Sequence, residues 1–143
     1  ISIALKSNNE IISGLIYDPI KDEMFYAEKN SGAYFNNQRI RVSKKKKLEE
    51  CLFATGSNSE NIKNLNIRKT GSAALDMAYV GAGRYDGLFQ KKLNLWDIAA
   101  GLIILEEAGG RTNNIDCSSN QQFKVFAASN SIYEKMIENL NNF

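Results

Sequence analysis

The hydrophobic pattern of this chain changes once, close to residue 50, and that change limits the fold more than anything else in the sequence. Up to Ser43 apolar and polar residues alternate in short runs at 1–6, 10–17, 23–29, 32–36 and 38–43. Between the runs stand Ser7-Asn8-Asn9, Asp18-Pro19, Asn30-Ser31 and Asn36-Asn37. Alternation broken by Asn, Ser and Pro predicts an antiparallel meander, because strand side chains switch faces at every residue and these residues favour tight turns. In the second run Ile11, Leu15 and Tyr17 share one face with Ser13. From Leu52 strand-like and helix-like segments alternate instead: strands at 52–55, 85–90 and 124–129, helices at 72–80, 96–108 and 132–140. Ala74, Leu75, Ala78 and Tyr79 fall at helical spacing, and Gly81-Ala82-Gly83 and Gly109-Gly110 end two of the helices. Residues 56–66 are polar and rich in Asn. The expectation is an α/β chain with layered α+β character, a sheet followed by a mixed α/β unit, divided as residues 1–47 and 48–143.

With 43% hydrophobic and 24% charged residues in 143, the chain has ordinary globular composition and enough length to bury a core. A net charge of +2 is too mild for a nucleic-acid or membrane-surface protein, and the longest apolar run, 98–105, is too short to cross a bilayer. The Lys44-Lys45-Lys46-Lys47 run, with no aromatic residue interleaved, reads as a solvated loop. Histidine is absent. That removes Ser-His-Asp and Cys-His catalysis and His metal sites, and leaves carboxylates, Lys, Tyr, Ser/Thr or a metal held by oxygen. Cys51 and Cys117 lack metal-type spacing and are expected to be free thiols in a reducing cytoplasm. The chain opens on Ile inside a strand-like run, so it is expected to be a fragment of something longer.

Asp97 stands in the first turn of the 96–108 helix, where a carboxylate either caps the free N–H groups or serves as a Mg²⁺ ligand. Gly71-Ser72-Ala73 enters the 72–80 helix, a position suited to capping or to binding a phosphate or a sugar hydroxyl. Gln90, near a strand end, either hydrogen-bonds a polyol or is simply solvated. Asp18-Pro19 reads as a turn between strands, and Glu106-Glu107 as surface or packing residues.

Leu95-Trp96-Asp97-Ile98-Ala99-Ala100-Gly101, followed by Glu107-Ala108-Gly109-Gly110, resembles the C-terminal signature of the inositol monophosphatase family. Gly71-Ser72-Ala73-Ala74-Leu75-Asp76, Gly83-Arg84-Tyr85-Asp86-Gly87 and the stretch from Gly14 to Asn37 extend the likeness over nearly the whole chain. The resemblance implies the C-terminal part of an αβαβα sandwich, a Mg²⁺-dependent phosphatase for small phosphorylated polyols, a cytoplasmic setting and a homodimer. It implies Asp97 as a metal ligand and Gly71, Ser72 and Ala73 as substrate contacts, with Ser in place of the family's Thr. It places Gln90 where many members carry a substrate-binding Glu.

The departures bear on activity. The family's Glu-rich motif and its Asp-Pro-Ile/Leu-Asp-Gly-Thr motif are expected before residue 1, and Asp18-Pro19-Ile20 only imitates the second, since Lys21-Asp22-Glu23 follows. Residues 57–67 are short for a stretch where members carry an extra helix. With one metal ligand of several, the chain is expected to be inactive alone. Three readings stay open: part of an inositol-phosphate phosphatase, a bisphosphate nucleotidase or fructose-bisphosphatase-like relative, or a non-catalytic interaction remnant.

Overall fold

The computed structural model describes every residue except 60, 61, 63, 141 and 142. The meander forms as its alternation predicts. Strands β1 (Ser2–Ser7), β2 (Glu10–Asp18), β3 (Glu23–Glu28), β4 (Gly32–Phe35) and β5 (Gln38–Arg39) lie side by side in chain order, each antiparallel to the next. Asn8, Asn9, Asn30, Asn36 and Asn37 take positive φ in the turns, the left-handed conformation that Asn tolerates best after Gly.

Two details depart from the sequence reading. In β2, Leu5 faces Ser13 while Lys6 faces Ile11, so Ile12 is an extra residue in a bulge. The buried face is therefore Gly14, Ile16 and Asp18, and Ile11 packs with Ile16 rather than sharing a face with Leu15 and Tyr17. A one-residue shift reverses every side chain beyond it. The run 38–43 is strand only over β5, because the chain then leaves the sheet: Val42 N–H donates to Ala108 O at 3.1 Å.

The second sheet has strand order β7-β6-β8-β10-β9, with β6 (Leu52–Ala54), β7 (Asn66–Arg68), β8 (Gly87–Leu93), β9 (Gly110–Thr112) and β10 (Phe123–Ser129). β6 runs parallel to β7 and β8, and β10 runs antiparallel to β8 and β9. The helices are α1 (Ala73–Gly81), α2 (Leu95–Glu107) and α3 (Tyr133–Asn139). β8 starts at Gly87 rather than 85 because the N–H groups of Arg84 and Tyr85 still donate to Tyr79 O at the end of α1. β7 arises at the edge of the stretch read as a polar loop; the expectation for residues 57–67 falls partly on 60, 61 and 63, outside the described residues.

Three apolar clusters stack these elements as sheet, helix pair, sheet, helix. Ile16, Phe25 and Ala33 of the first sheet meet Tyr79, Ala100, Ile103 and Ile104 of α1 and α2. On the other side of the helix pair, Met77, Val80, Ile98 and Leu105 meet Ala54, Leu88, Val125 and Ala127 of the second sheet. Beyond that sheet, Phe53 and Phe89 pack on Ile132 and Met136. These are four layers of the αβαβα order.

Two glycines allow α2 to sit this close to its neighbours. A Cβ on Gly14 would lie 2.8 Å from the Ala100 backbone, and one on Gly101 would lie 2.6 Å from Met77 Cβ. The second contact also orients the pair. Met77 meets Gly101 and Gly81 meets Ile104 and Ala108, so α1 and α2 run parallel and start at the same end.

Candidate functional site

Three parallel strands end at one edge, and both central helices begin there. β6 runs into Thr55 and Gly56, β7 into Lys69-Thr70-Gly71, and β8 into Asn94, the cap of α2. That edge is where open parallel sheets usually bind ligands, since strand ends and helix N-termini offer free N–H groups to an anion. Gly71, Ser72, Ala73, Gln90 and Asp97 all lie along it.

Ser72 caps α1. Its Oγ accepts the Leu75 N–H at 3.3 Å, and its backbone is extended at φ −135°. Before it, Gly71 holds φ +89° with open space where a Cβ would be, so the backbone there is accessible. Thr70 Oγ1 donates to Asp76 Oδ1 at 2.5 Å. Burial pushes the Asp76 carboxyl up, and the Thr70 hydrogen bond opposes that shift.

Asp97 caps α2 with one oxygen and leaves the other without a partner among the described residues. Oδ2 accepts the Asn94 backbone N–H at 2.8 Å and closes the first turn of α2. Oδ1 has no hydrogen bond among the described residues, and the side chain is half-buried. Its neighbour Trp96 is 74% exposed. A groove of about 360 Å³ opens beside it, bordered by Ser2, Lys6, Trp96 and Gln121.

Gln90 is half-buried in the middle of β8, not near a strand end as expected, because the strand runs on to Leu93. Its Oε1 accepts the Gly56 N–H at 3.0 Å, and Ser57 Oγ accepts the Lys91 N–H at 3.0 Å, so the loop after β6 is tied onto β8. The sequence reading did not single out Asn94, Thr70 or this loop. Asn three residues before Asp is a capping pattern that could have revealed the first; the loop contacts join residues 34 apart and leave no local signal. Asp18, in contrast, serves its turn, accepting the Ile20 N–H at 3.0 Å.

The pattern that defines the inositol monophosphatase family matches residues 1–142. The chain belongs to that family. It is 42% identical over 152 residues to the fructose-1,6-bisphosphatase/inositol-1-monophosphatase of Thermotoga maritima, a match that takes in 99% of this chain and 59% of that protein. It is 33% identical to the Nus factor SuhB of Haemophilus influenzae, over 98% of this chain and 59% of the relative. The crystal structure of the extragenic suppressor protein suhB from Bartonella henselae superposes with a TM-score of 0.90 at 41% identity, over 99% of this chain and 63% of the other. The chain thus spans about three fifths of the length of the relatives it matches.

An inositol monophosphatase family member calls for a metal, and Asp97 Oδ1 suits one as a hard oxygen ligand. No group of three or more His, Cys, Asp or Glu gathers for a metal among the described residues. Among the described residues Asp97 offers one such oxygen, not a closed site.

Proposed function

We propose that this chain carries the phosphate-binding edge and one metal ligand of a Mg²⁺-dependent phosphatase for small phosphorylated polyols such as inositol monophosphate, and that it is inactive alone. The observation that carries this reading is Asp97. Its Oδ2 is held by Asn94 and its Oδ1 has no hydrogen bond among the described residues, beside the paired starts of α1 and α2. In this reading the free N–H groups at those helix starts and the open backbone at Gly71 receive the phosphate, while Ser72 and Ala73 contact the polyol hydroxyls. Gln90, steadied by Gly56, offers its amide to the same polyol. Mg²⁺, when bound, neutralises phosphate charge and activates water. Asp97 would hold it together with oxygen ligands from beyond these residues. The two free thiols suit a reducing cytoplasm, and the whole protein would be a homodimer.

The purified chain should release no measurable phosphate from inositol 1-phosphate with Mg²⁺ present, because one carboxylate binds Mg²⁺ weakly and cannot build a bridged site. A Mg²⁺ titration followed by NMR should still move the Asp97 and Ile98 amides, and Asp97→Asn should abolish those shifts. Asparagine keeps an oxygen for the Asn94 N–H, so stability should fall by no more than about 1 kcal/mol. Robust phosphate release by the chain alone would overturn the inactive-alone reading. Unchanged Mg²⁺ shifts in Asp97→Asn would remove Asp97 from the metal site. A second reading, an interaction module, is favoured by the lone carboxylate and by relatives named as Nus factors. An absence of Mg²⁺ shifts in the parent chain would select it.

A further inference from the structure

The connection between the two sheets is fastened more firmly than a solvated lysine run requires. Residues 44–47 are exposed, as their composition predicts, yet three donors hold their backbone. Ser131 Oγ donates to Lys45 O at 2.6 Å, Lys135 Nζ to Lys46 O at 2.6 Å, and the Cys51 thiol to Lys47 O at 3.1 Å. Burial and the Asp86 charge push that thiol up to about 11, so it stays a donor. The Lys45 side chain reaches inward, and its ammonium lies 3.0 Å from Asp86 Oδ2.

Asp86 is 1% exposed and stands just before β8. Its Oδ2 also accepts the Leu52 N–H at 2.7 Å, and its own N–H donates to Leu52 O at 2.8 Å. One residue thus binds both backbone groups of Leu52, where β6 starts. On the other side Ser129, at the end of β10, donates its N–H to Asp86 O at 3.2 Å. Asp86 Oδ1 is buried with no hydrogen-bond partner among the described residues. A buried oxygen left unpaired costs stability, so what this side chain contributes comes through Oδ2.

That contribution is register. β6 has three residues and meets β8 over two pairs, Phe53 with Gly87 and Ala54 with Leu88. So short a parallel contact specifies its register weakly. A slip of one residue would exchange Phe53 and Ala54 between the two sides of the sheet, where they serve different clusters. It would also move Gly56, whose N–H is bound by Gln90 Oε1 and where a Cβ would lie 2.7 Å from Gln90 Nε2.

We propose that Asp86, charged and paired with Lys45, is a positioning residue that sets β6 against β8 and so places the Gly56–Gln90 contact. The proposal rests on the reading of Gln90 as a polyol contact. An ionised oxygen holds its two donors about twice as strongly as a neutral one would. The Lys45 ammonium offsets the burial of that charge, and removing it leaves the carboxylate uncompensated.

The test follows amide exchange at Gly56 and Lys91, the two ties between the loop after β6 and β8, with Ile104 and Val125 as core references. In Asp86→Ala and in Lys45→Met, exchange at Gly56 and Lys91 should rise at least about tenfold more than at the references. Lys45→Arg, which keeps the cation, should match the parent. Equal acceleration at all four amides, or no change at Gly56 and Lys91, overturns the proposal and makes Asp86 a residue of stability alone. Lys45→Met decides the case if Asp86→Ala does not fold. A titration of the parent chain with inositol 1-phosphate, following the Gln90 side-chain amide, tests the underlying reading separately. An unmoved Gln90 amide removes the polyol contact and the positioning role with it; a shifted Gln90 amide with unchanged exchange in the variants removes the positioning role and leaves the polyol reading standing.

Discussion

At the scale of single residues, the site edge combines groups that stabilise the fold with groups left available. Asp97 divides these roles between its two oxygens, and Ser72 uses its hydroxyl on the Leu75 N–H at a helix start whose other first-turn N–H groups have no partner among the described residues. Asp76 is the costly member. It is 1% exposed, and burial lifts its carboxyl above the ordinary 3.8 despite the Thr70 hydrogen bond. A carboxyl whose folded value is raised contributes stability fully below its unfolded value and loses it as pH rises through the folded one. Asp76→Asn keeps an acceptor for Thr70 without the buried charge. The variant should therefore melt at or above the parent temperature at pH 7, and the gap should close as pH falls to 4. Thermal melts across that range check this; a variant destabilised equally at every pH would mean that the Thr70 contact needs the full carboxylate. The capping role of Asp97 was legible in the sequence because it depends on neighbours three residues away. The left-handed Lys92 was not, since nothing about a lysine announces positive φ and the bulge is set by β10 across the sheet.

At the scale of elements, α2 determines how the site is held. Its 13 residues carry Asp97 at one end and Glu107 at the other. The Glu107 carboxylate accepts the N–H groups of Asn30 (2.7 Å) and Gly32 (2.8 Å), so the β3–β4 turn is tied to the far end of the helix. The sequence predicts a surface or packing residue at Glu107, and its packing role is this tie between sheet and helix. Midway, Gly101 admits Met77 of α1. Gly101→Ala would place a methyl carbon 2.6 Å from Met77 Cβ, an atom fixed by the helix backbone, so the helices must part. The expected loss is about 1–3 kcal/mol, visible as a lower denaturation midpoint with an unchanged slope. No loss of stability would show that the two helices slide apart freely. The long elements were legible because α2 is a 13-residue apolar helix closed by Gly109-Gly110 and β2 is nine residues of strand, but the bulge at Ile12 breaks the alternation of β2 and hid which face is buried. β7 and β9 have three residues each, too few for any period, and exist because β6 and β10 offer them an edge.

At the scale of the whole molecule, β1 carries most of the exposed large apolar side chains. Ile1, Ile3 and Leu5, in or just before β1, are 69%, 61% and 58% exposed, beside Ile20 of the β2–β3 turn at 92% and Trp96 at 74%. Among the described residues β1 pairs with β2 alone and its other edge is open, and the outer face of the sheet continues from Ile3 across Leu15 and Tyr26 to Tyr34. An open apolar edge strand is a template for pairing with another copy. The inner layers are different: Ile98, Ile104 and Leu105 of α2 and Val125 and Ala127 of β10 are fully buried between packed neighbours. Amide exchange should therefore be slow across Leu95–Glu107 and Phe123–Ser129 and fast across β1, because local opening is easiest where few apolar contacts must break. Concentration-dependent self-association should accompany the fast region, and Leu5→Lys, which sets a charge on the exposed face, should reduce it without slowing exchange in β1. A chain that stays monomeric at high concentration with β1 amides as slow as those of β10 would mean that pairing to β2, reinforced by the Ile1–Tyr17 bonds of 2.8 Å in both directions, is enough to hold the open edge closed.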